Sequence, residues 1–438
     1  MPISRTERKT RRRPRAAGIG SVLVGILLVS GCGPAESDNT LTWYINPDDG
    51  GQAAIAERCT QESGGAYSIE TSLLPSDAAS QREQLARRLA AGDSSLDIMS
   101  LDPPFIPELA EPGFLAPVPD DVAERTTENV VEGALAGATW KDELVTVPFW
   151  ANTQILWYRE SVAEAAGLDM TQPVTWDQII EAAASQEKTL GVQGAQAESM
   201  TVWINALIES AGGSIVTDPE ATADEIELGL VSEAGTEAAR IISTIGEEGL
   251  GGPGLATQDE NNSMIGFQGD SGSFMVNYPF VWPATNAAVD AGTLDAALID
   301  DIGWAIFPQV TEGEESAPPL GGIDLGVGAE SDNPALAYEA IECIVSVENQ
   351  AEYFITNGNP PSNTEAYEDP RIEETFPMAE TIRESLEQSA PRPQTPFYNE
   401  VSTGLQQTWA PPASVDPETT PETSSEFITA VLRGEQLL

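Results

Sequence analysis

The sequence predicts an α/β protein built as two lobes, and three observations predict it. Strand and helix patterns alternate from residue 41 to residue 102, the order that builds a parallel sheet with helices packed on it. A second set of strand-like runs returns after a helix-rich block over 200–248. The 438 residues also exceed what one ordinary core encloses.

Leu41 to Ile45 reads as a buried strand, and Asn46 to Gly51 as a loop into a helix carrying Ile55 and Cys59 on one face. Tyr67 to Leu74 alternates as a second strand. Ser76 to Ala91 is an amphipathic helix with Leu85 and Leu89 on one face and Gly92 as its stop. Leu96 to Asp102 is a third strand, ended by Pro103 and Pro104. Ligands of such sheets sit beyond the carboxyl ends of the strands, where Asn46 and Asp102 fall.

Leu144 to Trp150 and Ile155 to Arg159 are strand-like, with Asn152 between them. Thr175 and Gln178 form a capping box that opens a helix to about Ala184. Ser273 to Asn277, Ile302 to Phe307 and Leu325 to Val327 read as strands. Asn333 and Pro334 open a helix with Leu336, Ala340 and Cys343 on its apolar stripe. Residues 410–424 read as a Pro/Thr-rich loop before a last helix near 425–433. No internal repeat is visible.

At the N-terminus, Lys9, Arg11, Arg12, Arg13 and Arg15 precede an apolar run from Ala16 to Val29, short for a permanent membrane span. Val29-Ser-Gly-Cys32 closes that run and resembles the lipobox of bacterial lipoproteins. The resemblance implies a signal peptide over 1–31, a lipidated Cys32 and a polar tether over 32–39. The chain would then be anchored to the outer face of a cytoplasmic membrane. The alternative is an ordinary signal peptide with a chance cysteine. Cys59 and Cys343 are left in an oxidising compartment, which suggests one disulfide, two unpaired core cysteines being the alternative.

The chain has 70 acidic and 20 basic residues and a net charge of −50. Such a surface repels nucleic acid, anionic lipid head groups and phosphorylated metabolites, so no nucleic-acid partner is expected. Histidine is absent. That removes Ser-His-Asp and Cys-His machinery and every His-containing zinc or iron site, and neither a metal nor a cofactor is expected. Gly269-Asp-Ser-Gly-Ser273 looks like a serine-protease nucleophile segment but has no histidine base for Ser271. Gly249 to Gly254 matches GxGxxG literally, yet it follows a helical stretch and carries Pro253, so it reads as a loop.

Several segments together carry a resemblance. They are Asp97 to Asp102 with Phe114-Leu-Ala-Pro117, Val147 to Asn152 running into Leu156 to Arg159, Met275-Val-Asn-Tyr-Pro279, Leu320-Gly-Gly322 and Thr395 to Tyr398. In combination they resemble extracellular solute-binding protein family 1, the sugar-binding components of ABC importers, over nearly the whole chain after Cys32. Trp43 to Pro47 with Gly50-Gly-Gln52, and Arg392 to Tyr398, are most like actinobacterial trehalose-binding lipoproteins. The resemblance implies a two-lobe, type II periplasmic-binding-protein-like fold with three hinge crossings and a ligand cleft between the lobes. Residues 40–150 plus 322–358 would form the N-terminal lobe, and 153–318 plus 362–438 the C-terminal lobe. It further implies a monomer without catalysis that binds a neutral disaccharide, trehalose first, and delivers it to permease subunits.

Recognising sugar hydroxyls in a desolvated cleft needs carboxylates, amides and aromatic rings. By resemblance, Asp102 accepts bonds from two hydroxyls, with a cap or turn role as its alternative. Asn152 matches a cleft-wall position, with an Asx-turn as the alternative. Asn46 faces the same cleft or merely shapes the turn with Pro47, and Gln52 is its companion. Tyr278 and Trp282 flank Pro279 where the family places ring platforms; lobe core is the alternative. Glu260 opens a polar helix, as ligand contact or as a solvated acidic face. Gly322, after Gly321, lets backbone amides approach the sugar. Arg392, between Pro391 and Pro393, offers a fork for adjacent hydroxyls or forms an ion pair. A secreted glycoside hydrolase pairing Asp102 with Glu260 is the competing function. The same fold could also take a maltose-type sugar, a glycerophosphodiester or a polycation.

Overall fold

The computed structural model describes Asn39–Leu438. The signal peptide expected over 1–31 and the lipidation expected at Cys32 lie outside the described residues. Ten strands carry the argument: β1 (Thr40–Ile45), β2 (Ser68–Leu73), β3 (Ile98–Leu101), β4 (Val147–Asn152), β5 (Ile155–Arg159), β6 (Thr189–Gly191), β7 (Gly272–Asn277), β8 (Ile302–Ala305), β9 (Pro319–Gly326) and β10 (Ala390–Pro391). They form two sheets.

The first sheet runs β10-β9-β3-β1-β2, with β4 also paired to β9. Its β1, β2 and β3 are mutually parallel about β1, as the strand–helix alternation predicts. The crossing strand β9 breaks that pattern by running antiparallel to both β3 and β4. The second sheet runs β8-β5-β7-β6. β4 and β5 are consecutive in the chain and belong to different sheets, so residues 152–155 are one passage between lobes.

Helices cover these sheets for readable reasons. Asp77 caps α1 (Ala78–Ala90), its side chain accepting the Ser80 N–H at 2.8 Å, and Leu85 and Leu89 are buried on the sheet side. The capping box at Thr175 and Gln178 is formed around the start of the helix Trp176–Ser185. α2 (Glu198–Ser210) is buried on nearly every side and packs in the large core under the second sheet. Separate cores lie on the first sheet, one around Trp43, Phe149 and Ile341 and one around Leu85, Met99 and Ile106. A fourth core joins Ala151 and Phe354 to Trp157, Met275 and Ile382 beside the crossing.

Cys59, on the helix Gly51–Glu62, is bonded to Cys343, on Pro334–Ile344. Their Cα atoms are 5.8 Å apart and their positions 284 apart in sequence. Closing so long a loop restricts the unfolded chain and typically stabilises a fold by about 2–4 kcal/mol.

Two boundaries differ most from the sequence expectation. β9 begins at Pro319, well before Leu325, because Gly321 and Gly322 pair with Asn152 and Ala151 of β4. Cross-strand pairing there overrides the weak strand propensity of glycine. The last helix begins at Thr420, not near 425, because Pro421 stands in its first turn, where a missing N–H is harmless.

Candidate functional site

The carboxyl ends of β1 and β3 face the start of α2 across a cavity of about 630 Å3, within the usual range for a small-molecule site. Each wall has a local cause. Asn46 follows the last residue of β1, and Asp102 follows β3 where Pro103 and Pro104 force the chain out of the strand. Asn152 ends β4, and Gly321 and Gly322 lie opposite on β9. From the second lobe come Glu198 at the first turn of α2, and Glu260 at the first turn of α3 (Glu260–Gln268). The Asn277 side-chain amide donates to the Glu260 carbonyl at 2.8 Å and fixes that turn. Tyr278 completes this side.

Arg392 stands at the centre. It follows β10 and is only 5% exposed. Its Nη2 donates to Asp102 Oδ1 at 2.5 Å, and its Nη1 to Glu198 Oε1 at 2.7 Å. The guanidinium thus joins a carboxylate of the first sheet to one of the second lobe. Glu198 is itself held by the Tyr398 hydroxyl, by Ser402 Oγ at 2.6 Å and by the amide of Gln406 at 3.5 Å.

The electrostatics follow from this burial. Desolvation pushes the Asp102 carboxyl up and Glu198 adds to that, while Arg392 pulls it down. Burial likewise raises Glu260, opposed by hydrogen bonds from its own backbone and from Ser199. The Tyr278 phenol is pushed up by burial and by Glu260. Burial disfavours the Arg392 charge, but Asp102, Tyr398 and Glu198 hold it well above the ordinary range.

Asn46 Oδ1, Trp150 Nε1 and Arg392 Nε are buried and have no hydrogen-bond partner among the described residues. All three residues line the cavity. Amides, carboxylates, a phenol and one guanidinium thus make its lining polar and net negative. No cluster of three or more His, Cys, Asp or Glu side chains able to hold a metal ion occurs among the described residues.

Of the residues singled out from sequence, the structure brings Asn46, Asp102, Asn152, Glu260, Tyr278, Gly322 and Arg392 to one cavity. Two stand outside its lining. Gln52 is fully buried behind it, donating its amide to the Asn46 carbonyl at 2.9 Å, so it shapes the loop that carries Asn46. Trp282 packs edge-on against Trp304 at 5.8 Å and donates Nε1 to the Thr375 carbonyl, partly buried against the fourth core. The Asn152 Oδ1 accepts the Thr153 N–H at 3.0 Å, a turn bond alongside its place on the wall. Arg392 makes the ion pair that was its alternative, inside the cleft and not on an acidic surface.

Glu198 and Trp150 were missed. The signal for Glu198 was an acid opening a largely buried helix, where a carboxylate drawn partly out of water needs a partner. Trp150 lay within a recognised strand, but its edge-directed indole N–H had no signature.

The fold and this interlobe cavity define a two-lobe binding protein. Residues 49–351 match the family model for bacterial extracellular solute-binding proteins, and the chain belongs to that family. It is 24% identical over 275 residues to a protein of Deinococcus radiodurans described as a probable ABC transporter-binding protein, the match covering 59% of this chain and 62% of that one. The chain thus spans under two thirds of that relative's length. Among solved structures it resembles the maltose-bound MalE3 of Thermotoga maritima, with a TM-score of 0.73 and 23% identity, covering 91% of this chain and all of that one. It also resembles a ribitol-bound solute-binding protein of Agrobacterium radiobacter K84, with a TM-score of 0.72 and 18% identity, covering 90% and 98%.

Proposed function

We propose that this protein is the solute-binding component of an ABC sugar importer, capturing a neutral disaccharide, trehalose first, without turning it over. The observation that carries the reading is the cavity itself. Asn46, Asp102, Asn152, Glu260 and Arg392, with the ring of Tyr278, line one polar cavity between the two sheets. The maltose and ribitol held by the two structural relatives are ligands of the same hydroxyl-rich class. The Deinococcus relative supports the transporter assignment. Trehalose is favoured by the Trp43 to Gln52 and Arg392 to Tyr398 segments.

On this reading the lobes divide at 40–150 plus 322–358 and 153–318 plus 362–438, and they close over the sugar as a monomer. A lipid on Cys32 holds the protein beside permease subunits outside the cytoplasmic membrane. No helix among the described residues is long and apolar enough to cross a membrane, so Cys32→Ala tests the anchor by fractionation. Calorimetric titration with trehalose, maltose and sucrose tests the function, and a 1:1 complex with trehalose is expected. Silence toward every disaccharide would sink the reading, and release of free glucose would replace it with a hydrolase.

A further inference from the structure

We infer that Glu198 sets the charge selectivity of the cleft, by holding the Arg392 guanidinium so that an anionic sugar finds no free cation. The inference rests on the reading of the cleft as a sugar site and names which sugars it refuses. Arg392 is the single basic residue among the described residues lining the cavity, facing the carboxylates Asp77, Asp102, Glu198, Asp259 and Glu260. Asp77 and Asp259 cap helices, and Asp102 and Glu198 are bonded to the guanidinium, with Glu260 elsewhere on the same lining.

An exposed arginine in a sugar cleft would be an anchor for phosphate or carboxylate, because its planar fork matches both. Here both outer nitrogens of the fork already donate to carboxylates, one from each side of the cleft. A phosphate ester would have to displace one of these carboxylates and then sit against it. Two like charges held that close in a partly desolvated site repel strongly. A neutral sugar meets no such repulsion, and its hydroxyls donate to these carboxylates.

Glu198 is built for this role. Tyr398, Ser402 and Gln406 donate to it, and the three donors sit on one helix, Tyr398–Trp409. Tyr398 is fully buried and packs edge-on against Phe105 at 5.2 Å, behind the Asp102 turn. The carboxylate is therefore held by donors of one helix, and it holds Arg392 in turn. It is a positioning residue for Arg392 and a charge barrier at the same time.

The test separates the two roles by titrating the full chain with trehalose, trehalose 6-phosphate and a neutral 6-O-methyl trehalose that controls for bulk. Wild type is expected to bind trehalose and to reject the phosphate far more strongly than the methyl ether. Glu198→Gln keeps the shape and an acceptor oxygen while removing the charge. It should weaken trehalose by a few-fold and shift the phosphate-to-trehalose affinity ratio toward the phosphate by about tenfold or more. Tyr398→Phe keeps the charge and loosens its anchor, so it should weaken trehalose while leaving that ratio unchanged. A phosphate bound by wild type as tightly as the methyl ether overturns the inference and leaves the sugar reading intact. So does a Glu198→Gln ratio equal to that of wild type. A wild type that binds none of the three probes overturns both.

Discussion

Two acid-lined cavities in this molecule differ in what their acids do. The interlobe cleft gathers its carboxylates about Arg392, and each of Asp102 and Glu198 is paired with that one guanidinium. The other cavity, about 440 Å3, lies in the second lobe and is lined by Glu209, Glu233, Glu237, Glu314 and Glu315. Of these, Glu237 is paired with Arg240 on its own helix at 2.6 Å. Burial alone pushes Glu209 up to about 7. In a chain with 70 acids and 20 bases, acidic concavities arise wherever the surface folds inward. What marks a built site is the scarce cation and the buried polar atoms left without partners, and only the first cavity has both among the described residues.

The cleft depends on one close approach, and breaking it should give the largest effect. Gly322 has φ +131°, and a Cβ there would lie 2.2 Å from the Trp150 carbonyl oxygen on the neighbouring strand. Gly322→Ala must therefore strain the backbone or push β9 from β4, at a cost of about 2–4 kcal/mol. Thermal melts should show that loss, and trehalose binding should fall below detection. Gly321→Ala is the control, since its nearest contact would be the Asn152 carbonyl at 3.9 Å. Equal behaviour of the two variants would mean that the floor of the cleft is not held by this contact.

That same glycine shows what was legible in the sequence. Its presence at a crossing could be read, but its reason is the carbonyl of Trp150 on a strand 170 positions away, which only pairing reveals. Asn46 and Asp102 were legible because strand ends announce themselves through the prolines that follow. Arg392 was legible because bases are rare here. Glu198 was not, because its partners Tyr398, Ser402 and Arg392 are about 200 positions distant. Trp282 could not be decided from sequence, because a ring after a strand end looks the same whether it faces a ligand or packs on another tryptophan, as it does here.

Asp102→Ala should give the next effect, on binding and not on folding. The residue ends a strand, and Arg392 keeps Glu198 as its partner when Asp102 is gone. Losing a buried acceptor for hydroxyls costs about 1–3 kcal/mol, so trehalose affinity should fall tenfold to a hundredfold with an unchanged melting curve. Glu233→Ala, in the other cavity, should leave affinity at the wild-type value. Calorimetry on both variants sharpens the contrast, and an unaffected Asp102→Ala would remove that residue from the site.

The smallest effect belongs to Glu209, and it is a matter of pH. Desolvation raises its carboxyl from an ordinary 4.5 to about 7. Between those values the folded chain binds more protons than the unfolded one, so its stability contribution is full below about 4.5 and is lost as pH rises through 7. Glu209→Gln removes the titration while keeping the shape. The variant should therefore match wild type near pH 4.5 and exceed it at pH 8, by about 1–2 kcal/mol once partial solvent access is allowed for. Trehalose affinity at pH 8 should not change, because Glu209 does not line the cleft. Paired denaturant melts at the two pH values decide this. A gap of the same size at both would show that Glu209 titrates normally, and that its cavity does not disfavour charge.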